Sequence, residues 1–278
     1  MVMVALEQHL PESNRIINDE LAQRILPFGM RASIWVKLRL MSVDKMVKWS
    51  ESKMPGMWSG FMCRKRYIDD KLAETVKDKI GIVVNLGAGF DTRAYRLSAL
   101  SDVNVWEVDQ PENINVKRIR LEKIFGEIPK HVTLVSVDFN KEVLGDVLKA
   151  NGFPSDVKTF FIWEAVTQYL PEDSVRTTFE YLSKAPSGSR LVFTYIRKDF
   201  IDGKALYGHK YIYKKMILKS KTWFFGMDPG EVADFLDVYG WRVLEHPGYD
   251  ELAERYVNRA DRKLLSTPLE RILYAEKI

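Results

Sequence analysis

The sequence has little cysteine and little histidine, and both shortages limit the kinds of site that the protein can contain. Cys63 is the single cysteine, so no internal disulfide can form, which is typical of a reducing compartment. The four histidines, His9, His131, His209 and His246, are scattered and lack the spacing of metal ligands. We therefore predict no metal site.

Long apolar runs and a strong charge of one sign are also missing. No stretch approaches the ~20 apolar residues that a bilayer-spanning helix needs. Residues 1–15 lack the basic and long apolar regions of a signal peptide. The net charge of +4 is mild for a dedicated nucleic-acid binder. The sequence thus predicts a cytoplasmic protein whose partners include neither nucleic acid nor membrane.

From residue 81 onward, short apolar runs alternate with helical patterns. The runs predict strands at 82–86, 103–108, 132–137, 159–163, 191–195, 241–244 and 271–275. This alternation favours a mostly parallel α/β sheet with helices on both faces, and its last two strands form a hairpin-like pair at one edge. A segment rich in lysine and aromatics, about 197–228, interrupts the pattern and predicts an inserted helical cap.

Residues 1–80 are predicted to be mainly helical. Apolar spacing indicates helices over 14–26, 31–49 and 67–80, and the Ser, Pro and Gly of 50–60 indicate a turn-rich connection. We therefore divide the chain into an N-terminal helical region and an α/β domain that spans 81–278.

A glycine turn follows the first predicted strand, in the run Gly87-Ala88-Gly89. Glycines there permit a tight turn and a close approach of backbone to a ligand, and open α/β sheets bind ligands at this edge. A dinucleotide fingerprint would need a third glycine where Thr92 stands. The nicotinamide interpretation is therefore disfavoured.

Acidic residues follow the next three strands at the same edge. Asp109, with Gln110 beside it, could accept both ribose hydroxyls of a nucleoside or cap the next helix; the glycine turn makes ribose binding the favoured interpretation. Asp138 and Phe139 could meet an adenine, or could be a cap and a core aromatic. Glu164 could pair with a ligand's ammonium group, line the reaction cavity, or be a satisfied structural carboxylate.

The order of these motifs resembles the leucine carboxyl methyltransferase family. The resemblance is carried by N-L-G-A-G-F-D-T-R at 85–93, E-V-D-Q-P at 107–111, Asp138, Glu164 and Y-L-P at 169–171. The N-terminal S-N-R at 13–15 and the late F-G-M-D-P at 225–229 are similar to a bacterial branch of small-molecule carboxyl and O-methyltransferases, such as the tetracenomycin carboxyl methyltransferase.

The resemblance implies a class I, Rossmann-like methyltransferase fold with a seven-stranded sheet, and S-adenosylmethionine as the cofactor. Residues 1–80 would cover that cofactor, Gly87, Ala88 and Gly89 would approach its methionine part, and the three acids above would hold ribose, adenine and the methionyl end. Arg64 is the expected partner of the cofactor carboxylate, and Arg66 competes for that role.

The methyl acceptor is open at this stage. The apolar residues of 46–62 and the basic, aromatic segment 197–226 are candidate walls of its pocket, which would suit an acidic or aromatic small molecule. We expect O-methylation of a small carboxylate or hydroxyl group. A protein C-terminal carboxyl methyltransferase and a non-catalytic nucleotide-binding module are the alternatives. Cys63 is expected to be a buried apolar side chain.

Overall fold

A seven-stranded sheet organises the chain in the computed structural model, which describes residues 1–78, 80–138 and 141–278. The order across the sheet is β3-β2-β1-β4-β5-β7-β6. The strands are β1 Ile82–Leu86, β2 Asn104–Asp109, β3 Val132–Ser136, β4 Thr159–Trp163, β5 Arg190–Ile196, β6 Trp241–Glu245 and β7 Glu270–Lys277. All seven predicted strands are therefore confirmed, with ends that differ by no more than two residues.

The strand order reverses beside β1, because β2 lies on one side of it and β4 on the other. The carboxyl ends of the parallel strands meet at one edge there, which is where open α/β sheets bind ligands. β7 runs antiparallel between β5 and β6. This confirms the class I methyltransferase fold and the predicted pairing of the last two strands.

Helices cover both faces of the sheet. They are α1 Val2–Glu7, α2 Phe28–Leu40, α3 Val43–Lys53, α4 Met57–Val76, α5 Arg93–Arg96, α6 Pro111–Phe125, α7 Leu144–Ala150, α8 Glu172–Leu182, α9 Lys198–Ile201, α10 Lys210–Ile212, α11 Val232–Asp237 and α12 Tyr249–Leu252. Side chains of α1, α4 and α6 share one core with the sheet. Those of α7, α8 and α11 form the core on the other face.

The helix predicted over 14–26 is wrong. Only Glu12–Asn14 forms a short 3-10 helix, and turns follow it, although the apolar residues of this stretch are buried. Side chains at the end of α1 and just after it take over some of the backbone hydrogen bonds that a helix would supply. The Ile16 N–H donates to Glu7 Oε1 (3.0 Å), and the Asp19 N–H donates to Gln8 Oε1 (2.9 Å).

The region predicted as one helix over 31–49 is two helices. α2 ends at Leu40, and Ser42 caps α3 by accepting a hydrogen bond from the Lys45 N–H. The turn-rich connection is shorter than 50–60, because α3 continues to Lys53 and α4 begins at Met57. α4 is therefore longer than the predicted 67–80 helix and carries Arg64 near its middle.

The inserted segment is confirmed as helical and lies between β5 and α11. It comprises α9, α10 and a π-helix at Tyr213–Lys219. Phe200 and Ile212 pack there with Met54 and Met57 from the N-terminal region. The two candidate walls of the acceptor pocket therefore touch each other.

A buried ion pair fixes α6 to the sheet. The Lys117 ammonium lies 2.8 Å from Glu107 Oε2, and both side chains are almost completely buried. The Tyr95 hydroxyl donates to the same carboxylate at 2.5 Å. Burial nevertheless raises the pKa of the Glu107 carboxyl, so this group depends on its partners to stay charged.

We expect Lys117→Met to lower the free energy of unfolding by about 3–5 kcal/mol, because it leaves the buried Glu107 carboxylate unpaired. Arg176→Met is the matched control, since Arg176 pairs with Glu172 on the surface, and it should cost under about 1 kcal/mol. Urea denaturation measures both. Equal losses in the two variants would contradict the assigned role of the buried pair.

Candidate functional site

The glycine turn is fastened to the end of β2. The Gly87 and Ala88 N–H groups both donate to the Val108 carbonyl, at 2.8 and 3.0 Å. Gly87 has a φ of +74°, and a Cβ placed there would lie 2.2 Å from Val166 Cγ2. A side chain is therefore excluded at position 87 by conformation and by space.

The Asp109 carboxylate holds the glycine turn by a hydrogen bond. Its Oδ2 accepts a hydrogen bond from the Gly89 N–H (2.6 Å), and its Oδ1 accepts from the Gln110 N–H and from Asn113 Nδ2, both at 2.7 Å. Gln110, not Asp109, occupies the N-cap position of α6. The carboxylate thus ties the glycine turn to the start of that helix, where a ribose is expected.

Glu164 lies at the end of β4 among three cations. Its carboxylate oxygens are 2.8 Å from Arg64 Nε, 3.3 Å from Lys65 Nζ and 2.7 Å from Arg93 Nη1. Burial alone would raise the pKa of this carboxyl, but the surrounding cations hold it well below its usual range. These contacts match the alternative of a satisfied structural carboxylate, and the ammonium contact stays a prediction.

The two candidate arginines for the cofactor carboxylate lie on different faces of α4. Arg64 is buried and also contacts Glu270 Oε2 through Nη1 at 2.5 Å. Arg66 is half-exposed and pairs with Asp70 at 2.9 Å. Residues two positions apart on an α-helix point in directions that differ by about 200°, so only Arg64 faces the sheet edge.

Arg93 is the last residue of the motif at 85–93, and its contacts give it a structural role. Its buried guanidinium contacts Asp69, Asp91 and Glu164. Its neighbour Thr92 donates a hydrogen bond to Asp19 Oδ2 (2.6 Å). Helix α4, the N-terminal loop and the glycine turn are therefore joined at one point, which apolar periodicity cannot predict.

Ala165 adds a constraint at the end of β4. It has a left-handed φ of +58°, which is uncommon for a residue with a side chain. Its N–H donates to Thr194 Oγ1 at 2.8 Å, which holds this conformation against β5. The backbone turn directs Glu164 toward the cations of α4 and α5.

The predicted adenine site is only partly described. Asp138 follows β3, pairs with Lys141 at 2.9 Å, and donates its N–H to Glu142 Oε2 at 2.7 Å. Phe139 lies outside the described residues. The carboxylates that follow β2, β3 and β4 all stand at the same edge of the sheet, as the sequence predicts.

A cavity of about 330 Å³ lies between the four N-terminal helices. Its walls are mainly apolar and are formed by Val2, Met3, Leu6, Lys37, Met41, Met46, Trp49, Ser50, Met54 and Trp58. We call it the N-terminal cavity. It contains four of the apolar residues that the sequence pointed to within 46–62, whereas Met62 is in the core.

Within residues 1–78, 80–138 and 141–278, no cluster of His, Cys, Asp and Glu could hold a metal ion. In those same ranges, no helix has both the length and the apolar character that crossing a bilayer requires. Cys63 is fully buried, and burial raises the pKa of its thiol to about 12. It is a core side chain, as predicted.

We expect Asp109→Ala to weaken S-adenosylmethionine binding by about 1–3 kcal/mol, the scale of lost hydrogen bonds to a charged group. Glu112→Ala is the control, since this acid lies three residues after Asp109, in the first turn of α6. Calorimetric titration measures both, and circular dichroism confirms folding. An unchanged affinity in folded Asp109→Ala would remove Asp109 from the cofactor site.

Arg64→Ala should lower cofactor affinity at least tenfold, because a buried guanidinium grips a carboxylate with paired hydrogen bonds. Arg66→Ala is the matched control on the same helix and should change it less than twofold. The same titration compares them. The reverse order would place the cofactor carboxylate on the exposed face of α4.

Several curated proteins are similar to this chain. "Putative S-adenosyl-L-methionine-dependent methyltransferase" is the name of relatives in Mycobacterium avium (29% identical over 70% of this chain) and Mycobacterium marinum (33% over 50%). These matches span only 64% and 46% of the relatives' own lengths. A Mycobacteroides abscessus protein of the same name is 26% identical over 98% of this chain and 90% of its own length.

Solved structures share the fold at low identity. A putative methyltransferase from Thermobifida fusca superposes with a TM-score of 0.60 at 13% identity, over 85% of this chain and 89% of its own. A DUF574 family protein from Streptomyces avermitilis gives 0.55 at 14% identity, over 85% and 91%.

The family profile described as leucine carboxyl methyltransferase matches residues 1–183, which include the glycine turn, Asp109 and Glu164. This agrees with the names of the curated relatives and with the class I methyltransferase fold. The chain belongs to the leucine carboxyl methyltransferase family of S-adenosylmethionine-dependent methyltransferases.

Proposed function

We propose that this protein transfers the methyl group of S-adenosylmethionine to a carboxylate or hydroxyl oxygen of a small, largely apolar acceptor, and that the N-terminal cavity binds the acceptor. The observation that carries the proposal is this mainly apolar cavity, whose walls share helix α4 with Arg64 and adjoin Met1, which interacts electrostatically with Lys65 and Glu164. Its volume of about 330 Å³ falls in the range of small-molecule sites, which are mostly apolar with a few polar groups.

Two helices connect the cavity to the charged residues. Trp58 lines the cavity, and Arg64 follows six residues later on α4, which is about 9 Å along the helix axis. Met1 lies close enough to Lys65 and Glu164 to interact with them electrostatically, and Val2 and Met3 line the cavity. An acceptor in the cavity would therefore be near a cofactor held by Arg64.

The charge of the site complements the cofactor. Five carboxylates stand against four cations in one connected set of contacts: Asp19, Asp69, Asp91, Glu164 and Glu270 with Arg64, Lys65, Arg93 and Arg96. The formal charge of the set is therefore −1. S-adenosylmethionine carries a sulfonium, an ammonium and a carboxylate group, which gives it a net charge of +1.

A carboxylate is the acceptor group that this site favours. Methyl transfer is an in-line displacement, so the protein needs to align the reacting atoms and exclude water. A carboxylate with a pKa near ~4 is already ionised at neutral pH, whereas a phenol with a pKa near ~10 benefits from a general base. Lys37 lines this mainly apolar cavity and could pair with an acid.

The direct test is a methyl-transfer assay with radiolabelled S-adenosylmethionine and a panel of small aliphatic and aromatic acids, matched alcohols and phenols, and peptides with a free C-terminus. We expect turnover of apolar acids at a rate that is flat above about pH 6, because their ionisation is complete there. A rate that rises toward pH 10 would indicate a phenol instead. Turnover of peptides alone would contradict the small-molecule proposal.

Ser50→Phe should raise the KM for the acceptor at least fivefold and leave the affinity for S-adenosylmethionine unchanged. Ser50 is buried and lines the cavity, so the added ring would fill part of it. Ser52→Phe is the control on the same helix, because Ser52 is exposed. Equal acceptor KM values in the two variants would place the acceptor elsewhere.

A further inference from the structure

Helix α2 is held to the protein by very little apolar contact. Ile34 is its single buried residue among thirteen. Large apolar side chains point to solvent instead: Phe28 is 81% exposed, Trp35 58% and Leu40 79%. Most helices in globular proteins bury an apolar stripe, so a helix with this exposure lacks a partner surface.

The exposed apolar residues are concentrated in this part of the chain. Among the residues that the structure describes, nineteen large hydrophobic side chains are exposed, and seven of them lie within residues 28–49. They are Phe28, Met30, Trp35, Val36, Leu40, Met41 and Trp49. Single exposed apolar residues are ordinary on protein surfaces, but a contiguous group marks an interaction site.

The same segment carries the protein's excess positive charge. Residues 28–53, which form α2 and α3, contain six basic and two acidic residues, a net charge of +4. The whole chain also has a net charge of +4, so the remaining residues are neutral in sum. Arg39 stacks on the Trp35 ring at 4.9 Å, which places a cation directly among the aromatic side chains.

We propose that residues 28–53 form a docking surface for an anionic lipid bilayer, which we call the basic-apolar face. Helices that lie in a bilayer interface combine exposed Trp, Phe and Leu with Lys and Arg, and such helices rest in the plane without crossing the bilayer. Apolar side chains enter the boundary of the acyl chains, while cations approach the anionic headgroups. The hydropathy of the sequence does not test this mode of binding.

Charge favours a lipid surface over a second copy of the chain. Two basic-apolar faces in contact would bring together two surfaces of net charge +4, and like charges in a buried interface are unfavourable. An anionic bilayer neutralises the same cations. Three residues of this face, Lys37, Met41 and Trp49, also line the N-terminal cavity, so docking would place that cavity at the lipid surface.

Sedimentation with vesicles tests the proposal without acceptor or cofactor, so its outcome is independent of the proposed methyl transfer. The vesicles are phosphatidylcholine alone or an equal mixture of phosphatidylcholine and phosphatidylglycerol, at low and high salt. We expect binding to the mixed vesicles, at least tenfold weaker binding to phosphatidylcholine alone, and loss of binding as salt is raised.

Two double variants separate the apolar and electrostatic contributions. Trp35→Ser with Leu40→Ser should weaken binding to the mixed vesicles at least tenfold, and Ile119→Ser with Val238→Ser, at exposed sites elsewhere, should leave it within twofold. Arg31→Glu with Lys45→Glu should also weaken it at least tenfold, and Lys123→Glu with Lys130→Glu is the exposed control. Circular dichroism confirms that all four fold.

Three results would overturn the proposal. The first is no binding of the wild-type protein to the mixed vesicles at low salt. The second is equal weakening by a variant pair and its control, which would mean that binding depends on overall charge or hydrophobicity. The third is a concentration-dependent dimer, seen by light scattering, that Trp35→Ser with Leu40→Ser dissolves, since the face would then bind a second copy.

Discussion

The contacts of Arg93 are the interaction on which the rest of the site depends. Its guanidinium is almost fully buried and contacts carboxylates from α4, the glycine turn and the end of β4. Burying one of these charges without its partners would be costly, so the three elements can pack only when all are in place. The N-terminal region is thereby fixed to the edge of the sheet where the cofactor is expected.

The glycine turn and Asp109 impose a second constraint at that edge. Gly87 tolerates no side chain, and the Gly89 N–H is already held by the Asp109 carboxylate. A rigid backbone at this position costs little to organise when a ligand arrives, because its conformation is set beforehand. In the predicted cofactor site the same carboxylate would serve both the turn and a ribose, which its several acceptor positions allow.

Local patterns were sufficient to predict the sheet. Each strand is a short apolar run between polar turns, and β1 and β4 begin and end where the runs do. The prediction of a helix over 14–26 failed because the apolar residues of this segment are buried at helical spacing, although its backbone donates hydrogen bonds to the side chains of Glu7 and Gln8. Apolar spacing indicates which residues are buried, but it does not indicate which side chains will accept the hydrogen bonds of the backbone N–H groups.

The site was predictable to a lesser degree for a related reason. Strand ends place Asp109, Asp138 and Glu164 at one edge, and this follows from topology alone. The choice of Arg64 over Arg66 requires knowing which face of α4 packs against the protein, and the role of Arg93 requires knowing its tertiary contacts. The N-terminal cavity, likewise, exists only because four helices meet, which no single segment encodes.

Methyl transfer changes the charge of the cofactor, and a carboxylate acceptor loses the opposite charge in the same step. S-adenosylhomocysteine, the product, has lost the sulfonium and is neutral overall, whereas S-adenosylmethionine carries +1. The connected set around Arg93 and Glu164 has a formal charge of −1. With the proposed cofactor and a carboxylate acceptor both bound, the net charge of the occupied site would be −1 before transfer and −1 after it, so transfer would neutralise the two reacting charges without leaving a new unpaired charge in the buried set.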